Sequence, residues 1–174
     1  MRDLLHPESA ARASLGRTLS RLFASYGYDL IVTPPFELAE VLERGLATVD
    51  RRDVLRFVEP ESGEVALLRP DITPQIARVV ATRLKDRPAP YRIRYHGTVL
   101  RRRRGRARRR RQISQVGIEH IGNPSVDADV EVATLACRVA EAAGLESYRI
   151  ELRHVRLGGA LLAMLPQAAR ADAQ

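Results

Sequence analysis

The sequence contains few of the residues that cross-link small domains or bind transition metals. Cys137 is the only cysteine among 174 residues, so the chain can form no internal disulfide and no zinc site with several thiolates. A single cysteine fits a reducing compartment, and we expect the cytoplasm. The histidines at positions 6, 96, 120 and 154 lie in separate segments without the spacing of metal ligands. We therefore expect no metal and no other cofactor.

Long apolar runs are also missing. No segment approaches the roughly 18 apolar residues that a membrane-spanning helix needs. Residues 1–16 contain no apolar core of a signal peptide. Tryptophan is absent and aromatic residues make up only 5% of the chain, but 45% of the residues are hydrophobic and 29% are charged. This composition is typical of a folded globular protein, and we expect a single domain over 1–174 with no membrane segment.

The net charge of +8 comes from one short segment. Nine of the 29 basic residues are arginines within positions 101–111, and the other 20 basic residues face 21 acidic ones, which leaves −1 for the rest of the chain. Positive charge confined to one loop argues against a broad nucleic-acid-binding surface. The loop also lacks the aromatic side chains on which bases stack. RNA binding through this loop stays an alternative, ranked below a solvated basic loop.

Apolar spacing predicts a mixture of helices and strands without a linker or an internal repeat. Spacing of three and four residues indicates helices, whereas alternation every second residue indicates strands. The order of these elements predicts an α+β fold with a largely antiparallel sheet flanked by helices. Helices are expected over 6–26, 38–45, 74–86, about 125–144 and from 158, and strands over 28–37, 54–60, 64–70, 91–100, 112–122 and 147–155.

The strand that follows the arginine loop carries polar side chains on one face. Gln115, Gly117 and Glu119 are two residues apart and project together, whereas Val116 and Ile118 project from the opposite face. A buried carboxylate needs a partner, and a glycine between two polar groups lets a ligand approach the backbone. A solvent-facing polar strand explains the pattern about equally well.

Three further residues are candidates for binding a small zwitterion. Arg101 ends the strand before the loop, where its guanidinium could grip a carboxylate or a phosphate. Asp71 and Thr73 precede a helix and could receive an ammonium group. Thr73 followed by Pro74 also predicts an N-cap and first-turn pair, which explains the threonine equally well.

Taken together, "LRPDITPQIAR", "IRYHGTVLR" and "RQISQVGIEHIG" resemble segments of one known protein family. They are similar to the catalytic core of histidyl-tRNA synthetase and, more closely, to its non-synthetase paralogues, the regulatory subunits of ATP phosphoribosyltransferase. "GYDLIVTPPFE" resembles class II motif 1, which implies a homodimer, and the arginine hairpin resembles motif 2. The resemblance implies a class II aminoacyl-tRNA synthetase-like core. The chain stops before a motif 3 or an anticodon-binding domain, so we expect that core to be C-terminally incomplete.

The resemblance also implies roles for individual residues. It assigns a histidine-binding site to Asp71 and Thr73 for the amino group, Arg101 for the carboxylate, and Gln115 with Glu119 for the remaining polar contacts. Synthetases carry a glutamate where this chain has an arginine at position 103, which would weaken ATP positioning. Possible phosphate or nucleotide contacts are Arg103, Arg109 and Arg111.

The implied function is a non-catalytic regulatory subunit. It would bind free histidine and feed back on a separate ATP phosphoribosyltransferase catalytic chain in the first step of histidine biosynthesis. A histidyl-tRNA synthetase-like enzyme fragment that forms histidyl-adenylate is the first alternative, and RNA binding through the arginine loop is the second. The reversed charge at position 103 favours the regulatory subunit. We therefore do not expect contact with tRNA.

Overall fold

A computed structural model of the chain describes residues 3–45, 54–101 and 112–152. Contacts between residues divide the chain into two compact units, Met1–Gly144 and Leu145–Gln174. Within the described residues, every helix and strand belongs to the first unit. A single domain over the whole chain stays a prediction.

The first unit alternates helices and strands as the apolar spacing predicts, except that the single strand predicted over 28–37 is two short strands, Asp29–Leu30 and Phe36–Leu38. The α+β prediction is confirmed, and four helices and six strands lie in the described residues. In chain order they are α1 (Glu8–Ser25), β1 (Asp29–Leu30), β2 (Phe36–Leu38), α2 (Ala39–Gly45), β3 (Leu55–Val58), β4 (Val65–Leu68), α3 (Thr73–Arg83), β5 (Tyr91–Leu100), β6 (Gln112–Ile121) and α4 (Val126–Ala142).

The main sheet has the strand order β1-β5-β6. Strands β5 and β6 pair antiparallel over their full length, from Tyr91 opposite Ile121 to Leu100 opposite Gln112, so the predicted long hairpin is confirmed. Strand β1 adds a short parallel edge to β5. Because directly opposed residues share a face, the register also fixes which side chains of the two strands lie together.

The two faces of the β5–β6 hairpin are covered by different helices. The segment before α3 and α3 itself cover one face, and α1 and α4 cover the other. The predicted alternation on β6 is confirmed, because Val116 and Ile118 pack on the α1–α4 side. The cluster on the α3 side contains Ile72, Ile76, Ile93, Tyr95 and Val99, and the cluster on the other side contains Leu19, Phe23, Tyr28 and Leu135.

A second, smaller sheet has the strand order β2-β4-β3, and its central strand β4 leads into segment 69–73. Strands β3 and β4 form the predicted antiparallel hairpin, whose turn contains Gly63 with a φ of 71°. Leu42 of α2 packs on this sheet against Val54 and Leu67, and all three are buried. Strand β4 ends directly before segment 69–73, so the small sheet determines where that segment starts.

The structure corrects the predicted N-cap of α3. The helix begins at Thr73 itself, the capping position is occupied by Ile72, and no side chain caps this end. The Thr73 hydroxyl instead donates a hydrogen bond to Glu119 Oε1 at 2.8 Å. The Thr73 hydroxyl, which was expected to cap the helix, thus binds a residue that is distant in sequence.

The strand predicted over 147–155 is also wrong as far as the structure describes it. Residues 148–152 have no regular secondary structure, and Leu152 is exposed. Alternation alone does not make a strand, because a strand exists only when a neighbour completes its hydrogen bonds. The rest of this segment and the helix expected from 158 lie outside the described residues.

No helix in the three described ranges is long and apolar enough to span a bilayer.

A charged cluster between the hairpin and α4 stabilises the α1–α4 side of the sheet. Arg92 Nη2 donates to both oxygens of Glu131 at 2.7 Å, and Tyr28 OH donates to Glu131 Oε1 at 2.6 Å. The Arg92 guanidinium lies 4.7 Å from the centroid of the Tyr28 ring. Burial by itself raises the pKa of Glu131, but the hydrogen bonds from Tyr28 and Arg92 and the charge of Arg92 outweigh it and lower that pKa.

We predict that Glu131→Gln lowers the free energy of unfolding by about 2 kcal/mol at neutral pH, because the hydrogen bonds to a charged acceptor are lost. The lowered pKa means that the ionised carboxylate contributes stability above its ordinary pKa of 4.5. That contribution disappears as the pH falls through the lower folded pKa. Urea unfolding of both proteins between pH 3 and pH 7 measures the difference.

Glu40→Gln is the matched control, because Glu40 pairs with Arg44 on the surface and its side chain is 77% exposed. It should change the stability little at any pH. A stability difference for Glu131→Gln that persists unchanged at pH 3 would contradict the assignment to the ionised carboxylate.

Candidate functional site

The five residues assigned to the binding site by the sequence lie together on the α3 side of the sheet. Segment 69–73 crosses this face before α3 begins, β6 carries Gln115 and Glu119, and Arg101 directly follows β5. Each of the five contacts at least one other member directly, through hydrogen bonds or an ion contact. The candidate site is defined as these five residues, Asp71, Thr73, Arg101, Gln115 and Glu119, together with Tyr95.

Asp71 is the centre of the contacts made by segment 69–73. Its Oδ1 accepts hydrogen bonds from Gln115 Nε2 at 2.9 Å and from the Thr73 N–H at 3.1 Å. The opposite end of the same amide, Gln115 Oε1, accepts from the Ile72 N–H at 3.2 Å. Since one end of the amide donates and the other accepts, its orientation is determined and β6 is tied to the start of α3.

Arg101 follows the last residue of β5 and reaches back to the same segment. Its Nε donates to the Pro70 carbonyl oxygen at 2.8 Å, and its Nη2 lies 3.7 Å from Asp71 Oδ2. The second distance is an ion contact rather than a hydrogen bond. With a third of the side chain exposed, the guanidinium is accessible to an anionic group.

Glu119 is a half-buried carboxylate held by two hydroxyl groups. Its Oε1 accepts from Thr73 Oγ1 at 2.8 Å and from Tyr95 OH at 3.3 Å. Burial raises the pKa of Glu119, the two hydrogen bonds lower it, and the charge of Asp71 raises it, so that the net shift is upward. Among the described residues both hydrogen bonds arrive at Oε1, which leaves Oε2 for a ligand.

Tyr95 is the member of the site that sequence reasoning missed. Its hydroxyl lies between Glu119 and Thr73, 3.4 Å from Thr73 Oγ1, and its side chain is buried. Burial raises the pKa of Tyr95 to about 12, so the phenol is a neutral donor near pH 7. The signal that could have found it is the hairpin register, since Tyr95 lies directly opposite Gly117.

Gly117 has a different role from the one expected. A Cβ atom at this position would lie 2.6 Å from Tyr95 OH, closer than a real Cβ contact. The space that the missing side chain leaves is therefore filled by the tyrosine hydroxyl, not by an approaching ligand. The expectation of a ligand against the backbone at Gly117 is corrected to a packing requirement for Tyr95.

The site combines groups that suit a small zwitterion. Asp71 and Glu119 supply two negative charges and Arg101 one positive charge, so these three side chains carry a net charge of −1 when ionised. Such a set can receive a cationic group and a carboxylate at separate points. In the parts of the chain that the structure describes, no group of three His, Cys, Asp or Glu side chains could hold a metal. Arg103, Arg109 and Arg111 lie outside the described residues.

The chain has a class II aminoacyl-tRNA synthetase-like core, in which helices cover both faces of a largely antiparallel sheet. The sequence model of the family described as Histidyl-tRNA synthetase matches residues 1–174. The chain therefore belongs to the histidyl-tRNA synthetase family.

Individual relatives agree with this assignment. The chain is 44% identical to a protein of Anaeromyxobacter dehalogenans named ATP phosphoribosyltransferase regulatory subunit, over 99% of the chain and 50% of that protein. A Bacillus halodurans structure titled ATP phosphoribosyltransferase regulatory subunit/histidyl-tRNA synthetase is 32% identical with a TM-score of 0.84, over 99% of the chain and 44% of its own. An Alicyclobacillus acidocaldarius structure titled Histidine--tRNA ligase subunit is 30% identical with a TM-score of 0.78, over 99% of the chain and 50% of its own. The chain thus spans about half the length of these curated relatives.

We predict that Tyr95→Phe raises the pKa of Glu119 further, because the carboxylate loses one of its two hydroxyl donors. A carbon-detected NMR titration of the Glu119 carboxyl measures this directly. Tyr91→Phe is the matched control, since the Tyr91 hydroxyl lies at the start of the same strand and donates to the Leu84 and Arg87 carbonyl oxygens. An unchanged Glu119 titration in Tyr95→Phe would show that the phenol does not hold the carboxylate.

Proposed function

We propose that the chain is the class II core of an ATP phosphoribosyltransferase regulatory subunit. It binds free histidine, carries out no catalysis itself, and controls a separate catalytic chain in the first step of histidine biosynthesis. The observation that carries this proposal is the linked set Asp71, Thr73, Arg101, Gln115 and Glu119, which contains partners for each polar group of histidine. The names of the curated relatives support the same choice.

The contacts suggest how histidine would be placed. Its ammonium group would lie at Asp71 and the Thr73 hydroxyl, whose proton is donated to Glu119 and whose lone pairs stay available. Its carboxylate would pair with the exposed side of the Arg101 guanidinium. Its imidazole would then donate to Glu119, with Gln115 completing the polar contacts. An amino acid without a donor on its side chain would offer no hydrogen bond to Oε2 of the half-buried Glu119 carboxylate, which gives a physical basis for selectivity.

Proton linkage follows from the state of Glu119. Its raised pKa means that this carboxyl takes up a proton at a higher pH than an ordinary glutamate. A bound imidazole N–H, or an imidazolium, interacts with the ionised carboxylate. Histidine affinity should therefore fall as the pH falls through the pKa of Glu119, and binding should lower that pKa.

Feedback requires that histidine bind more tightly to one state of the assembly than to another, since a ligand shifts an equilibrium only by differential affinity. The catalytic ATP phosphoribosyltransferase chain is the proposed partner.

We also propose a homodimer through the motif 1 region, because Leu30 and Val32 there are 50% and 79% exposed. The proposed location is the cytoplasm, in keeping with the single cysteine and with the biosynthetic role of the partner.

We predict that free histidine binds the full chain and that Arg101→Ala and Glu119→Gln each weaken binding at least about tenfold, because each removes a charged partner of the ligand. Isothermal titration calorimetry measures the dissociation constants. Arg83→Ala and Glu64→Gln are matched controls of the same charge change at exposed positions. Equal affinity of the wild type and the two site variants would remove this site from the proposal.

We predict no histidine-dependent exchange of pyrophosphate into ATP, because an arginine stands at position 103 where synthetases carry a glutamate. The assay uses the full chain with ATP, histidine and labelled pyrophosphate. A robust signal that is lost in Arg101→Ala would establish histidyl-adenylate formation and overturn the non-catalytic role.

A further inference from the structure

Behind the candidate site lies a buried arginine that contacts three separate parts of the chain. Arg69 is the first residue of segment 69–73 and is 7% exposed. Its Nη1 lies 2.9 Å from the Thr33 carbonyl oxygen, 2.8 Å from Thr33 Oγ1 and 3.1 Å from the Pro34 carbonyl oxygen, and its Nε donates to the Thr98 carbonyl oxygen at 2.8 Å. One side chain therefore joins the loop after β1 to strand β5.

Gln75 completes this network from the first turn of α3. It is fully buried, its Nε2 donates to the Pro34 carbonyl oxygen at 3.0 Å and lies 3.4 Å from the Phe36 carbonyl oxygen, and its Oε1 lies 3.4 Å from Arg69 Nη1. Arg69 and Gln75 are positioned two residues before Asp71 and two residues after Thr73. Arg69 and Gln75, on either side of Asp71 and Thr73, are thus both fixed to residues 33–36.

The main chain of Arg69 adds further restraints. Its N–H donates to the Pro35 carbonyl oxygen at 3.1 Å, and its carbonyl oxygen accepts from the Leu100 N–H at 2.9 Å. Arg101, which follows Leu100, then contacts Pro70 and Asp71. The position of segment 69–73 relative to the end of β5 is therefore set at Arg69.

The guanidinium of Arg69 is unusual because, in the described ranges, all its hydrogen bonds go to neutral oxygen atoms and it pairs with no carboxylate. Burial lowers its pKa, which reflects the cost of taking a cation out of water. Gly97 lies against this group, and a Cβ there would collide with Arg69 Nη2. Five oxygen acceptors and a missing side chain accommodate one buried charge, an arrangement that a neutral aliphatic residue would not need.

We infer that Arg69 and Gln75 are positioning residues for ligand binding at the candidate site, acting by fixing segment 69–73 without touching the ligand. The inference rests on the proposed function for the identity of the ligand. Arg69 and Gln75 determine where Asp71, Thr73 and Arg101 lie relative to one another. A change at Arg69 should therefore loosen the hydrogen bonds of the site more than it loosens the rest of the fold.

The test compares Arg69→Met with Leu135→Ala, which removes a fully buried side chain on the opposite side of the sheet. Hydrogen exchange followed by NMR on the ligand-free chain reports the Ile72 and Thr73 amides, which donate to Gln115 Oε1 and Asp71 Oδ1. In Arg69→Met we expect these two amides to exchange at least about tenfold faster than the loss of global stability accounts for. Leu135→Ala should accelerate them only in proportion to its global destabilisation.

Two further variants keep the test decisive if Arg69→Met does not fold. Gly97→Ala retains every hydrogen-bonding group but displaces the guanidinium, so it should reproduce the selective exchange. Arg69→Lys keeps the charge and part of the donor set and should restore much of the protection. A histidine titration of each folded variant should show a dissociation constant raised about tenfold for Arg69→Met and Gly97→Ala, and unchanged for Leu135→Ala.

Each outcome separates this inference from the proposed function. Exchange at Ile72 and Thr73 that follows global stability in every variant overturns the inference, as does equal histidine affinity of the wild type and Arg69→Met. Selective exchange together with a wild-type chain that does not bind histidine supports the positioning role and removes histidine as the ligand.

Discussion

The register of the β5–β6 hairpin is the constraint on which the rest of the structure depends. Because Tyr95 lies opposite Gly117, the side chains of Gln115 and Glu119 point to the same face as Ile93 and Val99. A slip of one residue would turn these polar groups toward α1 and α4 and bring Val116 and Ile118 to the α3 side. The apolar cores on both faces therefore select the one register in which the candidate site exists. The pairing of β5 with β6 thus determines both the packing of the two apolar cores and the geometry of the site.

The hairpin alone supplies only half of the site. The other half comes from segment 69–73, which must lie across the hairpin at a defined height for Asp71 to meet Gln115 and for Thr73 to meet Glu119. Arg69 and Gln75 provide this placement by binding carbonyl groups of residues 33–36. Buried polar networks of this kind rigidify a structure when every member is satisfied. The site accordingly depends on contacts that lie beneath it, outside the reach of any ligand.

The opposite side of the sheet follows a different principle. Arg92, Glu131 and Tyr28 form a compact charged cluster there that links the hairpin to α4. Glu131 has a lowered pKa because the hydrogen bonds from Tyr28 and Arg92 and the charge of Arg92 outweigh its burial, whereas Glu119 has a raised pKa because burial and the charge of Asp71 outweigh the hydrogen bonds from Thr73 and Tyr95. The same residue type thus stabilises the fold on one face and stays available for a cationic ligand on the other.

Much of the fold can be predicted from the local spacing of apolar residues in the sequence. Periodicity of three to four residues gave the helices and alternation gave the hairpin, because those patterns reflect which side of an element must be buried. Charge counting located all excess basicity in residues 101–111. The failures occurred where a partner distant in sequence decided the outcome. Thr73 does not cap α3 because Glu119 takes its hydroxyl, and residues 148–152, predicted as a strand from alternation alone, have no regular secondary structure.

The sequence by itself determined the fold class, the long hairpin and the residue types that its strands offer for binding. Only the tertiary structure decided that Tyr95 belongs to the site, that Gly117 makes room for its hydroxyl, and that Arg69 is buried among carbonyl groups. The physical reason is that secondary structure depends on the spacing of neighbouring residues. A binding site depends instead on distances between side chains that are far apart in the chain.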